Sequence, residues 1–225
     1  MNIAVICARK NSKRVKNKNF LLIKKKPLID YTVETALKNK IFDKIIINTN
    51  NRKYKTIKSN NKILVYQRPK KLGNSKTRVL EVLKEMFKKI SFKMNDNIFI
   101  LFPTCPLRSV KDIINANKIF NKYKQKKQII SVTEYLPSID VAFFIKKNNT
   151  LKNKFLKKYN TSPGNNNHDK YYYCNYAIII NKLRKIKNSK KLINENSIPY
   201  IMPFDRSIDI DEDSQLKVVK KILDK

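Results

Sequence analysis

Nowhere in this 225-residue chain is there a hydrophobic run long enough to cross a bilayer. The apolar stretch near the start, Ile3 to Ala8, is too short for the core of a secretion signal and has no cationic segment before it, so the chain is expected in the cytoplasm. Cysteine is sparse. Cys7, Cys105 and Cys174 are odd in number and far apart, which argues against a disulfide framework and against a zinc site. Histidine occurs once, at His168, which reads as a surface residue, and no other residue is an evident general base. Glycine is down to 2 residues and tryptophan is absent while Asn, Ile, Lys, Phe and Tyr abound, a bias spread over the whole composition. Acids number 17 against 51 Lys and Arg, and none stands before Asp30.

That imbalance gives a formal net charge of +34, which would ordinarily make nucleic acid the first suspect, because clustered cations bind phosphate by releasing counterions. Here the lysines are spread over nearly every segment, so most of the charge reads as solvated surface. Adhesion to nucleic acid at low salt is expected, without a specific nucleic-acid partner and without a membrane. The length suits one substantial core, read as a single domain over 1–225.

The stretch Ile3 to Phe20 organises the rest. Small and branched apolar residues from Ile3 to Ala8 predict a strand buried on both faces. The run breaks into Arg9, Lys10, Asn11, Ser12, Lys13, Arg14, Lys16, Asn17, Lys18 and Asn19, just ahead of an apolar helix beginning near Pro27. Such a loop sets positive charge at the carboxyl edge of a sheet, where open α/β sheets bind ligands, and a nucleoside triphosphate would suit it. The plainer alternative is that a lysine-rich chain has lysines in its loops.

Downstream, strands at Lys44 to Ile47, Ile63 to Tyr66, Ile98 to Phe102 and Ile129 to Thr133 alternate with helices at 52–59, Thr77 to Ile90 and Val110 to about Lys122. This spacing predicts an α/β fold with a mainly parallel sheet and helices on both faces. Gln67, Arg68 and Pro69 form a loop, and Pro103 and Pro106 shape a second one at a strand end. Alternation stops over 136–170, read as an irregular insertion that covers a site or reaches a partner subunit. It resumes with a strand at Tyr171 to Ile180, a short helix near Leu183, a strand at Tyr200 to Met202 and a closing helix.

Four of the acids fall at Asp209, Asp211, Glu212 and Asp213. If Ser207 to Asp211 is extended, Asp209 and Asp211 share one face while Ile208 and Ile210 enter the core. Two such carboxylates suit Mg²⁺ held jointly with substrate phosphates. Capping of the last helix by Asp211 is the alternative.

The segments ARKNSKRVKNKN, KPLIDYTVETAL, FDKIIINT, QRP, FPTCPLR, SVTEY, NYAIII and SIDIDEDSQL, in this order, resemble the acylneuraminate cytidylyltransferase family over nearly the whole chain. The resemblance implies a Rossmann-like, GT-A-like nucleotidyltransferase fold, a three-layer sandwich working as a homodimer, with 136–170 as the dimerisation segment. It implies transfer of CMP from CTP to a nonulosonic acid of sialic, legionaminic or pseudaminic type, with Mg²⁺ and release of pyrophosphate. Arg9, Lys13 and Lys18 would act on the phosphates, with Ser12 and Asn19 binding the nucleotide and Arg68 the cytidine side. Thr104, Arg108 and Asn175 would line the sugar side, and Asp209 and Asp211 would bind the metal. The chain departs from the family pattern at Lys10 and Asn11, where glycines are usual, and at Asn50, Phe102 and Tyr173. A shorter acceptor such as Kdo, or a non-catalytic relative that binds polyanions or a partner, are the alternatives.

Overall fold

The computed structural model describes residues 1–54, 61–136, 139, 142–153 and 170–224. The first strand, β1 (Asn2–Ala8), is fully buried from Ile3 to Ile6, as its run of small and branched residues requires. A basic loop and a small hairpin, β2 (Leu22–Ile23) with β3 (Lys26–Pro27), lead into α1 (Leu28–Lys38). Then follow β4 (Lys44–Thr49), β5 (Ile63–Gln67), α2 (Val79–Lys89), β6 (Asn97–Ile100), α3 (Val110–Lys122) and β7 (Ile129–Glu134). The rest comprises β8 (Phe143–Ile145), β9 (Leu151–Asn153), β10 (Tyr172–Lys182), α4 (Leu183–Asn188), β11 (Ile198–Ile201) and α5 (Asp213–Asp224).

Seven strands make the central sheet in the order β11-β7-β10-β6-β1-β4-β5. All pairings are parallel except those of β10, which runs antiparallel to both β6 and β7. The period of two along β1 divides the core. Ala4, Ile6 and Ala8 pack with α1 and α3 through Val33, Ala36, Ile113 and Phe120. Ile3, Val5 and Cys7 face α2 and α4 through Leu83, Met86, Phe87 and Ile186. Helices therefore cover both faces, and α1 and α2 leave the sheet on opposite sides. β4 flanks β1 on one side and β6 on the other, which places the topological switch point, and the crevice that goes with it, at the carboxyl ends of β1 and β6.

A third, smaller cluster sits outside the sheet. Val15 of the basic loop, Ile23, Leu28, Ile210, Leu216 and Val219 bury one another and so hold that loop against the segment before α5. Ile210 also donates its amide to the Thr104 carbonyl at 2.8 Å. Ser207 to Asp211 forms no ladder, yet it aims Ile210 inward as expected.

Two expectations need correcting. The irregular insertion contains an antiparallel pair, β8 with β9. Phe143, Phe144 and Ile145 favour a strand, and the turn closes through Asn149 in the left-handed region (φ 59) and through Thr150, whose hydroxyl donates to the Asn148 side chain at 2.7 Å. The strand expected at Tyr200 to Met202 begins at Ile198, two residues earlier, where it pairs with Ile129. Most of the expected helix at 52–59, and within the insertion Pro137, Pro163, Gly164 and His168, lie outside the described residues.

At the start of α3, Ser109 and Asp112 form a capping box. Asp112 is 1% exposed and also accepts from Arg206 at 3.0 Å and Tyr200 at 2.8 Å, tying the helix to β11 and the segment beyond it. Burial alone would raise its pKa, but the hydrogen bonds from Arg206, Ser109 and Tyr200 outweigh it and hold the group down to about 2. Because the folded value lies below that of the unfolded chain, this stabilisation is complete above about pH 4 and is lost as pH falls through the folded value. Urea midpoints measured down this range should fall, with Asp112 contributing about 2 kcal/mol of the loss. In Asp112→Asn that part of the acid dependence should be missing.

Candidate active site

A cleft of about 330 Å³ opens at the carboxyl ends of β1, β5 and β6. Arg9, Ser12, Lys13, Lys18, Asn19, Arg68, Thr104, Asp209 and Asp211 all line it, which brings together nine of the eleven residues singled out in the sequence.

The basic loop holds its shape without glycine. Asn17 takes the left-handed turn (φ 53), a conformation that asparagine tolerates better than most residues. The Ser12 hydroxyl donates to the Val15 carbonyl at 2.7 Å and accepts from the Lys18 amide at 2.6 Å. Asn19 donates to the Arg9 carbonyl at 2.9 Å, and its side-chain oxygen is buried without a partner among the described residues. Asn50 accepts from the Lys10 amide at 2.8 Å and fits tightly over Gly73, where an added Cβ would lie 2.5 Å from the Asn50 nitrogen. These groups brace the loop so that its cations face the cleft.

Five cations and two carboxylates share that space. Lys18 donates to the Ile210 carbonyl and pairs with Asp211 at 2.8 Å, while Arg14 pairs with the other Asp211 oxygen at 3.0 Å. Among the described residues Arg9 reaches only the Asn74 carbonyl, at 3.4 Å. Arg68 is buried, donates to the side chain and carbonyl of Asn48 at 2.8 and 3.0 Å, and has no carboxylate within ion-pair distance among the described residues. Burial pulls its pKa down, as does the nearby charge of Arg9. The excess of unpaired positive charge suits a polyanion.

Burial raises the pKa of Asp209, and the charge of Asp211 adds to this against hydrogen bonding from Thr104 and attraction from Lys18. Burial would raise Asp211 as well, but Lys18 and Arg14 lower it. The cap of α5 is not Asp211: the Gln215 side chain accepts from the amides of Asp211 and Glu212 at 2.7 and 2.8 Å. Both carboxylates line the cleft, Asp211 already paired with Lys18 and Arg14. Among the described residues no group of three or more His, Cys, Asp or Glu stands together. Two carboxylates offering only oxygen, with a repulsion between them that a dication would relieve, fit Mg²⁺, which commonly takes one or two protein ligands and completes its shell with phosphates and water.

Arg108 and Asn175 are placed differently from expectation. Arg108 is 2% exposed, and its guanidinium donates to the Ala177 carbonyl at 2.5 Å and to the Thr32 hydroxyl at 3.0 Å. Asn175 is fully buried, accepting from Ser131 and from the Ala177 amide and donating to Ser207. Neither lines the cleft. Both are used up in holding β10, whose pairing with β7 shifts register between Cys174 and Ile179. The cleft instead gains Arg14, the 74–77 loop, Phe102 and Tyr176. Arg14 was visible in the run of cations; nothing in the sequence pattern marks Tyr176.

A cytidylyltransferase family model matches residues 3–221. The chain belongs to the cytidylyltransferase family. Among the relatives of this cytidylyltransferase-family chain is the N-acylneuraminate cytidylyltransferase of Escherichia coli, 30% identical over 210 residues that make up 93% of this chain and 49% of that protein. The pseudaminic acid cytidylyltransferase of Campylobacter jejuni is 30% identical over 66% of this chain and 65% of its own length. The chain thus spans about half of the first and just under two thirds of the second. A post-translational flagellin modification protein of Campylobacter coli is 26% identical over 98% of this chain and 94% of its own. In fold, the chain resembles a solved CMP:2-keto-3-deoxy-manno-octonic acid synthetase with a TM-score of 0.67 at 14% identity, covering 99% of this chain and 98% of that one. It likewise resembles the 2-C-methyl-D-erythritol 4-phosphate cytidylyltransferase of Francisella tularensis, with a TM-score of 0.68 at 17% identity over 98% and 99%.

Proposed function

We propose that this chain transfers CMP from CTP to a nonulosonic acid, releasing pyrophosphate, with Mg²⁺ held by Asp209 and Asp211. The observation that carries the reading is the meeting of five cations with a carboxylate pair at the switch point of a cytidylyltransferase-family fold. Relatives named for sialic and pseudaminic acids support the acceptor class.

In this reaction the anomeric hydroxyl of the sugar acid attacks the α-phosphorus of CTP and releases its proton to solvent, the bond to the bridging oxygen breaks, and pyrophosphate leaves. The bound metal would neutralise phosphate oxygens as charge gathers on the leaving group. Arg9 and Lys13, which have no acid partner among the described residues, offset the charge of the triphosphate. Lys18 stands between that charge and Asp211, and Arg68 serves the cytidine side. Ser12 and Asn19 hold the loop so that these groups converge.

A homodimer in the cytoplasm completes the proposal. Leu136, Phe143, Phe144, Ile145 and Leu151 are exposed apolar residues around the β8–β9 pair, a surface suited to a second copy. No helix among the described residues is long and apolar enough to cross a membrane.

The test is pyrophosphate release from CTP and magnesium across a panel of nonulosonic acids and Kdo, repeated with ATP, GTP and UTP, on protein whose mass in solution is measured alongside. Release with CTP and a nonulosonic acid, from a species weighing two chains, is the expected result. Turnover with Kdo alone would change the acceptor class. Folded protein that neither binds CTP nor releases pyrophosphate would remove the enzymatic reading.

A further inference from the structure

Phe102 and Tyr176 pack together in the wall of the cleft, with ring centroids 5.6 Å apart and planes at 64°. Phe102 follows β6, across the switch point from Arg68 and the 74–77 loop, so the two rings form the wall opposite the side assigned to cytidine. Tyr176 is 38% exposed and its hydroxyl makes no hydrogen bond with the described residues. Asp209 and Asp211 line the same cleft as this ring.

The backbone of Tyr176 lies in the left-handed region at φ 56, where a bulky side chain is strained and a glycine would not be. It stays there because its surroundings overdetermine it. The Ala177 amide is held by the Asn175 side chain at 3.1 Å and the Ala177 carbonyl by Arg108 at 2.5 Å, both from the buried side. Strain maintained in this way, at the rim of a ligand cleft, marks a side chain whose placement matters there.

We infer that Phe102 and Tyr176 form an aromatic wall that selects nonulosonic acids whose side chain bears methyl and acyl groups in place of hydroxyls. The inference rests on the nonulosonic-acid reading above. Aromatic faces bury C–H and methyl groups favourably. A ligand hydroxyl turned against the ring faces gives up water and finds no partner there, which is costly.

The experiment compares N-acetylneuraminic acid with an analogue of the same ring configuration whose side chain has an acetamido group and a terminal methyl in place of two hydroxyls. The wild-type chain is expected to prefer the analogue by about 10-fold in kcat/KM or more. The double variant Phe102→Gln, Tyr176→Gly should lose the preference through the KM for the sugar acid, with the KM for CTP unchanged. Tyr176→Phe, which keeps the wall, should retain it, and Tyr176→Gly alone, which relieves strain and leaves Phe102 in its core contacts, should lose part of it, so a folding defect of Phe102→Gln would not account for the change. Equal use of both acids by the wild type, or a preference that survives in the double variant, overturns the inference. So does a rise in the KM for CTP, which would make the wall a platform for the base. Turnover with neither acid, while CTP is used with another acceptor or not at all, fails the acceptor reading itself and takes the inference with it.

Discussion

Asp209→Asn is expected to lower magnesium-dependent pyrophosphate release by about 100-fold or more, while binding of metal-free CTP changes little. The substitution is nearly isosteric. It keeps an oxygen for Cys105, whose sulfur lies 3.7 Å away, and removes only the charge. If Asp209 served merely to fasten the loop at Cys105, the amide would do so nearly as well and activity would survive. If it holds the metal, a neutral amide is a much poorer ligand and excess magnesium should recover part of the rate. Asp211 is the weaker place to look, because Lys18 and Arg14 lean on its carboxylate and its removal disturbs both cations. Wild-type turnover in Asp209→Asn would take Asp209 out of the metal site.

Arg108→Met should act on stability before it acts on sugar affinity. The guanidinium is buried and satisfies the Ala177 carbonyl and the Thr32 hydroxyl, so truncation leaves buried acceptors unpaired at a cost of about 3 kcal/mol. For a chain of this size that corresponds to a fall in Tm of about 6–12 °C, readable by thermal melts. Burial has already pulled the pKa of Arg108 down to about 10, with the nearby Cys105 and Asp112 opposing, which fits a cation held by carbonyls inside the core. A variant that melts like the wild type but has lost affinity for the sugar acid would restore Arg108 to the acceptor side.

These two residues also mark what the sequence could and could not disclose. Helix α3 was legible at its observed ends, because Val110 to Lys122 carries apolar residues at helical spacing. The cations of the first loop were legible for a topological reason: a loop that follows a buried strand and precedes a helix lies at the carboxyl edge of the sheet. The reversed direction of β10 was not, since a branched apolar run reads alike in either direction. Nor could the pattern tell which polar side chains turn inward. Arg108 and Asn175 sit on a loop and strand that border the cleft, but the carbonyl and amide of Ala177, left over by the register shift in β10, draw both into the core. Tyr176 was hidden because a left-handed position is usually announced by glycine, and the sequence offers tyrosine there.

The small cluster built on Val15, Ile210 and Val219 has a consequence in time as well as in space. It joins segments whose ion pair, Lys18 with Asp211, spans 193 positions of sequence. Closing so long a loop is entropically expensive and is repaid only once both segments have a surface to dock on. The sheet around β1 and β4 can form from nearer neighbours, so the cleft is expected to be completed after it, which refolding followed by both far-UV signal and CTP binding would check. A chain can therefore have most of its secondary structure and still be unable to hold a triphosphate.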